Sequence, residues 1–142
     1  MGLDGQASAD IADPFENVRL GLYALRMKYE SASVMMPLDV LRLHTLGTAR
    51  VLGVEQDVGS LAVGKFADFL VVDTGRPDTG PIFDVAATLV FACSASNIER
   101  VFVGGDCLVE NGRTLRVSQD DVRAQAKEKI AALRARLAAG SK

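Results

Sequence analysis

Hydrophobic residues near the start of the chain recur every three or four positions, the spacing of an amphipathic helix. Asp13 supplies an N-cap, and Pro14 suits the first helical position, where its missing N–H costs nothing. We predict a helix from Asp13 to about Tyr29, with Arg19 and Arg26 on its solvated surface. The apolar stripe of this helix consists of Phe15, Val18, Leu22, Leu25 and Tyr29.

Two further helices are predicted. The first begins at Pro37 and ends at Gly53, which stands where a left-handed C-cap is expected, and its inward stripe is Leu38, Leu41, Thr45, Thr48 and Leu52. The second begins with the capping box formed by Ser118 and Asp121. Its stripe is Val122, Ala126, Ile130, Leu133 and Leu137.

Between these helices the pattern changes to short apolar runs punctuated by glycine, which is typical of strands. Two reversals are predicted, one at Gly104-Gly105 and one at Asn111-Gly112. The predicted strands are residues 69–73, 87–93, 100–103 and 107–110. Helices followed by a small antiparallel sheet could form an α+β domain, or the two leading helices could lack a partner surface.

Composition narrows the classes of protein. The chain has 142 residues, 49% hydrophobic and 24% charged, which is typical of one folded domain or a piece of a larger one. Its net charge of −2 argues against nucleic acid as a partner. No signal peptide or membrane-spanning run is recognisable, so we expect a cytoplasmic protein without a membrane partner.

Few residues of the chain are candidates for catalysis or for binding a metal or phosphate. His44 is the single histidine, so this chain alone cannot complete a metal centre that needs several histidines. A catalytic triad would also have to use His44, which we instead expect to be a partly buried helix residue. Cys93 and Cys107 are predicted to be small core residues without a disulfide. The glycines around Lys65 do not open a helix, so Lys65 is predicted to be solvated rather than phosphate-binding.

The terminal helix carries basic residues on one side. Asp120, Asp121 and Glu128 interrupt this basic pattern and no aromatic residue is interleaved, so a solvated face is favoured over a nucleic-acid or membrane surface. Retention on heparin that depended on these basic residues would contradict that interpretation. They are Arg123, Lys127 and Arg134.

Three segments together point to a family. Residues 2–10 read Gly-Leu-Asp-Gly-Gln-Ala-Ser-Ala-Asp, residues 48–53 read Thr-Ala-Arg-Val-Leu-Gly, and residues 58–73 read Val-Gly-Ser-Leu-Ala-Val-Gly-Lys-Phe-Ala-Asp-Phe-Leu-Val-Val-Asp. This combination resembles the C-terminal part of the amidohydrolase superfamily, in the branch of guanine deaminases, adenosine-derivative deaminases and triazine hydrolases. Residues 100–112 resemble the next strand pair of that family.

The resemblance implies an α/β fragment of a larger enzyme. Residues 1–56 would be the end of a (β/α)₈ barrel, namely the end of its last strand and two helices. Residues 57–115 would be the C-terminal strands of a small β-sandwich that serve as scaffold, and residues 116–142 a terminal amphipathic helix. A barrel alone takes about 250 residues, so most of it would lie outside this chain.

The resemblance also assigns a site. Asp4 matches the family's metal-ligating aspartate, which passes a proton from the attacking water to the leaving group. Ser8 follows in the same signature and would orient the loop or a substrate, although Ala9 and Asp10 depart from the family's asparagine. The metal would be divalent, usually zinc, and would supply hydroxide for hydrolytic deamination, or for hydrolysis of another C–N or a C–halide bond, on a small ring substrate.

Because the histidine ligands are absent, we expect the isolated chain to hold no metal and to be inactive. Its partner would be the missing barrel chain or further copies of itself. The alternative interpretation is a non-catalytic oligomerisation or binding module that associates through exposed apolar helices.

Overall fold

In the computed structural model, the described residues are Gly2 and residues 10–140, and helices precede most of the strands. In chain order the elements are α1 (Pro14–Lys28), α2 (Pro37–Arg42), a π-helical turn (Leu43–Gly47), α3 (Thr48–Leu52), β1 (Phe69–Val72), α4 (Val85–Phe91), a 3₁₀ turn (Ala95–Asn97), β2 (Ile98–Val103), β3 (Asp106–Glu110), β4 (Arg113–Thr114) and α5 (Gln119–Gly140).

Helix α1 confirms its prediction. The Asp13 side chain caps it by accepting a 2.9 Å hydrogen bond from the backbone N–H of Phe15. Phe15, Val18 and Leu22 are buried, whereas Tyr29 at the end of the stripe is 57% exposed. The start of the helix therefore contributes more to the core than its end.

The second helical segment has the predicted ends but another inward face. Gly53 ends it in the left-handed region at φ 71°. The buried residues are Val40 and Ala49, whereas Leu38 and Leu52 of the predicted stripe are 48% and 70% exposed. The π-helical turn at Leu43–Gly47 adds residues to one turn, so side chains beyond it are rotated relative to a regular helix.

The strand predicted over residues 87–93 is wrong, because that segment forms helix α4, Val85–Phe91. The Asp84 side chain caps it by accepting a 2.7 Å hydrogen bond from the N–H of Ala87. Val90 and Cys93 become fully buried. As a helix the segment joins a core cluster with both leading helical segments, formed by Val18, Leu22, Val40 and Val90.

The four strands form one antiparallel sheet in the order β1-β2-β3-β4. Phe69 of β1 lies opposite Phe102 of β2, and their rings stack with centroids 4.5 Å apart. Both predicted reversals are confirmed. Gly104-Gly105 has φ values of 59° and 88° and Asn111-Gly112 of 49° and 73°, the positive pair that a tight hairpin turn requires.

Helix α5 forms where it was predicted, but its stripe is not buried. The Ser118 hydroxyl accepts a 3.2 Å hydrogen bond from the N–H of Asp121, as the capping box predicts. Every residue of α5 is exposed, including Ile130 at 50% and Leu137 at 63%. Within residues 10–140, no helix is long and apolar enough to cross a membrane.

Candidate functional site

The two site residues predicted from the resemblance, Asp4 and Ser8, lie outside the described residues, so their roles stay predictions. The described residues on either side of them are Gly2 and Asp10, and Asp10 has a positive φ of 58°.

The structure shows how the flanks of this segment are held. The Asn17 side-chain Nδ2 donates a 2.9 Å hydrogen bond to the carbonyl oxygen of Gly2. Asp13 ends the segment as the cap of α1, and its second carboxylate oxygen accepts a 2.9 Å hydrogen bond from the N–H of Ala95. Gly2 is therefore bonded to the first turns of α1, and Asp13 joins the start of α1 to the connection after α4.

The described residues do not form a metal site by themselves. Nowhere in residues 10–140 do three or more His, Cys, Asp or Glu side chains come together in a group that could hold a metal ion. The donor set of this part of the chain therefore does not fit a zinc centre. A carboxylate from Asp4 would need ligands from another chain or another part of a longer one.

His44 is a partly buried helix residue, as predicted. It lies half-buried in the π-helical turn, and its Nδ1 is buried without a hydrogen-bond partner among the described residues. Burial lowers the pKa of the imidazole below its ordinary value of 6.5, so His44 is neutral at pH 7. Nothing in the described residues pairs it with a nucleophile.

The cysteines are both free, and Cys93 confirms the prediction of a core thiol. Cys93 is fully buried, whereas Cys107 is half-buried. Burial raises the pKa of the Cys93 thiol, although the nearby Arg19 charge acts in the opposite direction. A thiol of raised pKa is a poor nucleophile, so Cys93 is a packing residue.

Residues 58–73, the third segment that carries the family resemblance, have structural roles. A Cβ at Gly59 would lie 2.8 Å from the Cβ of Ala49, so only glycine allows this close approach to α3. The prediction that Lys65 is solvated is wrong, because its ammonium donates to the carbonyl oxygens of Glu55 and Val58. The lysine thereby satisfies backbone oxygens of the loop rather than binding phosphate.

The end of the same segment fastens the first hairpin. The Asp68 carboxylate accepts a 2.6 Å hydrogen bond from the N–H of Gly104, and the N–H of Gly105 donates at 3.0 Å to the carbonyl of Ala67. Asp68 is itself exposed, and its partner Gly104 lies 36 residues further along the chain, so the sequence did not predict this bond. The segment links the loop after α3 to the β2–β3 turn.

A polar cleft of about 320 Å³ beside β2 was not anticipated from the sequence. Its buried residue is Asn97, which is 2% exposed. The Asn97 side chain donates to the carbonyl of Asp73 at 2.9 Å and accepts from the N–H of Ser94 at 2.9 Å. Through these two bonds the Asn97 carboxamide joins the end of β1 to the start of β2. Asn97 therefore has a structural role.

Comparison with known proteins points to a family, which the geometry of the described residues alone does not. The model of the amidohydrolase family matches residues 1–108. The chain is 30% identical over 122 residues to a 5-methylthioadenosine/S-adenosylhomocysteine deaminase of Thermodesulfovibrio yellowstonii, and 32% identical over 122 residues to a 5′-deoxyadenosine deaminase of Methanosarcina acetivorans. Each match covers 86% of this chain but only 28% of the relative.

Solved structures give a similar result. An adenosine deaminase from Xanthomonas campestris with bound zinc superposes with a TM-score of 0.88 at 27% identity, covering 92% of this chain and 30% of that one. An atrazine chlorohydrolase from Arthrobacter aurescens in complex with zinc superposes with a TM-score of 0.78 at 27% identity, covering 87% of this chain and 28% of that one. The chain thus spans less than a third of the length of these proteins.

Proposed function

The chain belongs to the amidohydrolase family, and from this premise we propose that it is the C-terminal portion of a metal-dependent enzyme that carries out hydrolytic deamination of a ring substrate. Hydrolysis of another C–N or a C–halide bond belongs to the same proposal. The observation that carries it is the superposition of 92% of the chain on a zinc-bound adenosine deaminase with a TM-score of 0.88. The relatives named as deaminases of adenosine derivatives support the same chemistry.

We propose that the chain is organised in three parts. Residues 1–56 supply the end of the barrel, residues 57–115 the strands of the β-sandwich, and residues 116–142 the terminal helix. The first two parts share a core, because Val90 of α4 packs in one cluster with Val18 of α1 and Val40 of α2. We therefore expect residues 1–115 to behave as one folding unit.

Within this proposal Asp4 is the metal-ligating carboxylate that also takes and returns a proton, and Ser8 orients the loop behind it. The metal is divalent, with zinc favoured by the bound ions of the solved relatives. Because residues 10–140 contain no cluster of three candidate ligands, the isolated chain is proposed to bind no metal and to lack activity.

Exposed apolar residues support the need for additional protein. Val51, Val63 and Phe83 are 86%, 108% and 96% exposed, which is unusual for side chains of this size. In the proposed enzyme the remaining barrel would cover part of this surface. The exposed stripe of α5 favours a second candidate function, a non-catalytic module that associates with copies of itself.

The first experiment measures zinc content and ammonia release on the purified chain. The test compounds are 5′-methylthioadenosine, S-adenosylhomocysteine, 5′-deoxyadenosine and an amino-substituted triazine. We expect neither stoichiometric zinc nor ammonia above the buffer rate. About one zinc per chain together with turnover would contradict the proposed inactivity of the chain.

The second experiment asks whether the chain can complete an enzyme. In a hybrid, it replaces the matching C-terminal segment of the Thermodesulfovibrio yellowstonii deaminase. We expect the hybrid to release ammonia, and Asp4→Asn to reduce the rate about 100-fold or more, as loss of a proton-transfer group does. Asp10→Asn, outside the ligand position, is the matched control. A folded hybrid without activity, with stable dimers of the chain by light scattering, would favour the module.

A further inference from the structure

Helix α5 presents an exposed apolar stripe. Each residue of the helix is exposed, and Ile130 and Leu133 are 50% and 56% exposed. Ala126, Ile130 and Leu133 follow one another at i, i+4 and i+7, the spacing with which an amphipathic helix anchors itself in an apolar groove. Val122 and Leu137 extend the stripe, which occupies about 80° of the circumference of a helix with 3.6 residues per turn.

Basic side chains border this stripe on both sides. At 3.6 residues per turn, two of them lie within about 40° of one edge and three within about 60° of the other. The acidic residues Asp121 and Glu128 lie on the opposite face of the helix. Within the described part of the chain, only one of the five basic residues is near a carboxylate, since Arg123 lies 3.4 Å from Asp120. The basic borders are Lys129 and Arg136 on one side and Arg123, Lys127 and Arg134 on the other.

We propose that α5 is a docking helix for a separate protein, one with an apolar groove rimmed by acidic side chains. The apolar stripe enters the groove, and carboxylates on both rims pair with the basic borders. Charges beside an apolar seam determine the choice of partner in this way when two helices pair. The family match ends at residue 108, before α5 begins, so it assigns α5 no part in the enzyme. The proposal is independent of the proposed function.

The charges exclude a second copy of α5 as the occupant. In a parallel pair of these helices, Lys129 of one copy would face Arg134 of the other. In an antiparallel pair, Lys127 would face Arg134. Either arrangement places like charges along both sides of the seam, which is unfavourable. An acidic rim removes this repulsion and replaces it with attraction.

A membrane surface fits the stripe less well than a protein groove does. A helix that lies in a membrane interface presents a broad apolar face with large side chains such as Trp, Phe and Leu. Helix α5 contains no aromatic residue, and one position of its stripe is Ala126. A narrow stripe of this kind is typical of the seam between protein helices.

The test is a titration of the whole chain with two designed helices of about four heptads, followed by NMR of the α5 amides. Both helices carry Ile and Leu along the seam, but one has Glu and the other Lys on both borders. The Glu helix represents one wall of an acidic-rimmed groove. We expect it to shift the α5 amides and to bind at least about tenfold more tightly than the Lys helix. Absence of binding, or equal affinity for the two helices, would overturn the proposal.

Variants test the position of the charges. Lys127→Gln together with Arg134→Gln removes two border charges and should weaken binding of the Glu helix about fivefold or more. The control, Ala131→Glu together with Ala135→Glu, lowers the net charge equally on the opposite face and should keep the affinity within about twofold. All four positions are exposed and the new residues favour helix, so the fold should be kept. Equal losses would show that net charge, rather than the basic borders, governs binding.

The apolar variant Leu133→Gln distinguishes the other occupants. It should weaken binding of the Glu helix about tenfold or more, because an apolar anchor is lost. We expect it to leave light scattering of the chain and sedimentation with vesicles of phosphatidylglycerol and phosphatidylcholine unchanged. Dimers that disappear in this variant would overturn the proposal in favour of self-association. Vesicle binding that disappears in it would overturn the proposal in favour of a membrane.

The hybrid enzyme tests whether the partner is separate from the enzyme. We expect the hybrid to bind the Glu helix with an affinity within about threefold of that of the chain, since α5 stays exposed there. A hybrid that no longer binds it would show that the rest of the enzyme covers the stripe, which would overturn a separate partner. Ammonia release from the same sample tests the proposed function, and its result does not depend on binding of the Glu helix.

Discussion

The guanidinium of Arg19 donates a 2.7 Å hydrogen bond from Nη2 to the carbonyl oxygen of Cys93, 74 residues further along the chain. Its Nε donates at 2.9 Å to the carbonyl of Val90. Both oxygens lie at the C-terminal end of α4, where helix carbonyls lack partners and a cation is favourable. Arg19 was predicted to be a surface residue of α1, but it holds α4 against the core.

Replacing Arg19 should therefore destabilise the fold. We expect Arg19→Ala to lower the free energy of unfolding by about 2 kcal/mol, since two charge-assisted bonds to carbonyls are lost. Arg19→Lys should recover less than half, because one ammonium does not reproduce the two-pronged geometry. Urea denaturation gives the values, with the exposed Arg134→Ala as a control expected within about 0.5 kcal/mol. Equal destabilisation by Arg19→Ala and Arg134→Ala would refute the role of Arg19 in holding α4 against the core.

Substitutions at Gly59 and Gly64 distinguish the stability cost of backbone strain from the cost of steric overlap. Both have positive φ, 86° at Gly59 and 92° at Gly64, but a Cβ at Gly59 meets Ala49 at 2.8 Å and one at Gly64 meets nothing within 4 Å. We expect Gly64→Ala to cost about 1–2 kcal/mol and Gly59→Ala about 3 kcal/mol or more. Denaturation midpoints of the two variants measure the difference. Equal losses would show that α3 yields to the added methyl group.

His44 should make stability depend on pH. Burial lowers its pKa in the folded state, so the unfolded chain, at the ordinary 6.5, binds the proton first. As pH falls through 6.5 the unfolded state is favoured, and stability present above that pH is lost. Wild type should therefore lose more unfolding free energy between pH 7.5 and 5.5 than His44→Gln. Parallel pH profiles of the two proteins would contradict a buried neutral imidazole.

The two thiols should differ in reactivity. Cys93 is fully buried with a raised pKa, whereas Cys107 is only half-buried. We expect a pulse of iodoacetamide at pH 8 to alkylate Cys107 at least about tenfold faster than Cys93, since the thiolate is the reacting form. Peptide mass spectrometry quantifies both sites, and in denaturing urea the difference should vanish. Faster labelling of Cys93 in the native chain would mean that α4 opens readily.

Local signals predicted much of the fold. The turn at Gly104-Gly105 was predictable because positive φ at both central residues is a property of the dipeptide itself. The helix of residues 85–91 was not, because a short apolar run fits a strand or a buried helix equally well. Its one local signal was Asp84, an N-cap residue directly before the run. The shifted face of the second helical segment depends on a π-helical turn, which has no comparable sequence pattern.

The candidate site was predictable to a different degree. Asp4 and Ser8 come from a resemblance of sequence, which physical patterns alone could not replace, and their roles stay predictions. The bond from Asn17 to Gly2 joins residues 15 apart, and that from Arg19 to Cys93 joins residues 74 apart. Contacts of this kind depend on the packing of elements, so no local window of the sequence contains them.

Helix α5 has little tertiary support, because each of its residues is exposed, although the Gln119 side chain donates a 3.1 Å hydrogen bond to the carbonyl of Gly112. A helix of 22 residues with so little tertiary packing melts gradually from its ends rather than in one cooperative step. Far-ultraviolet circular dichroism would therefore mix a shallow helix–coil slope with the sharp transition of the core. The chain has no tryptophan and two tyrosines. Fluorescence of Tyr23 and Tyr29, in α1 and at its end, is a signal that does not include the melting of α5.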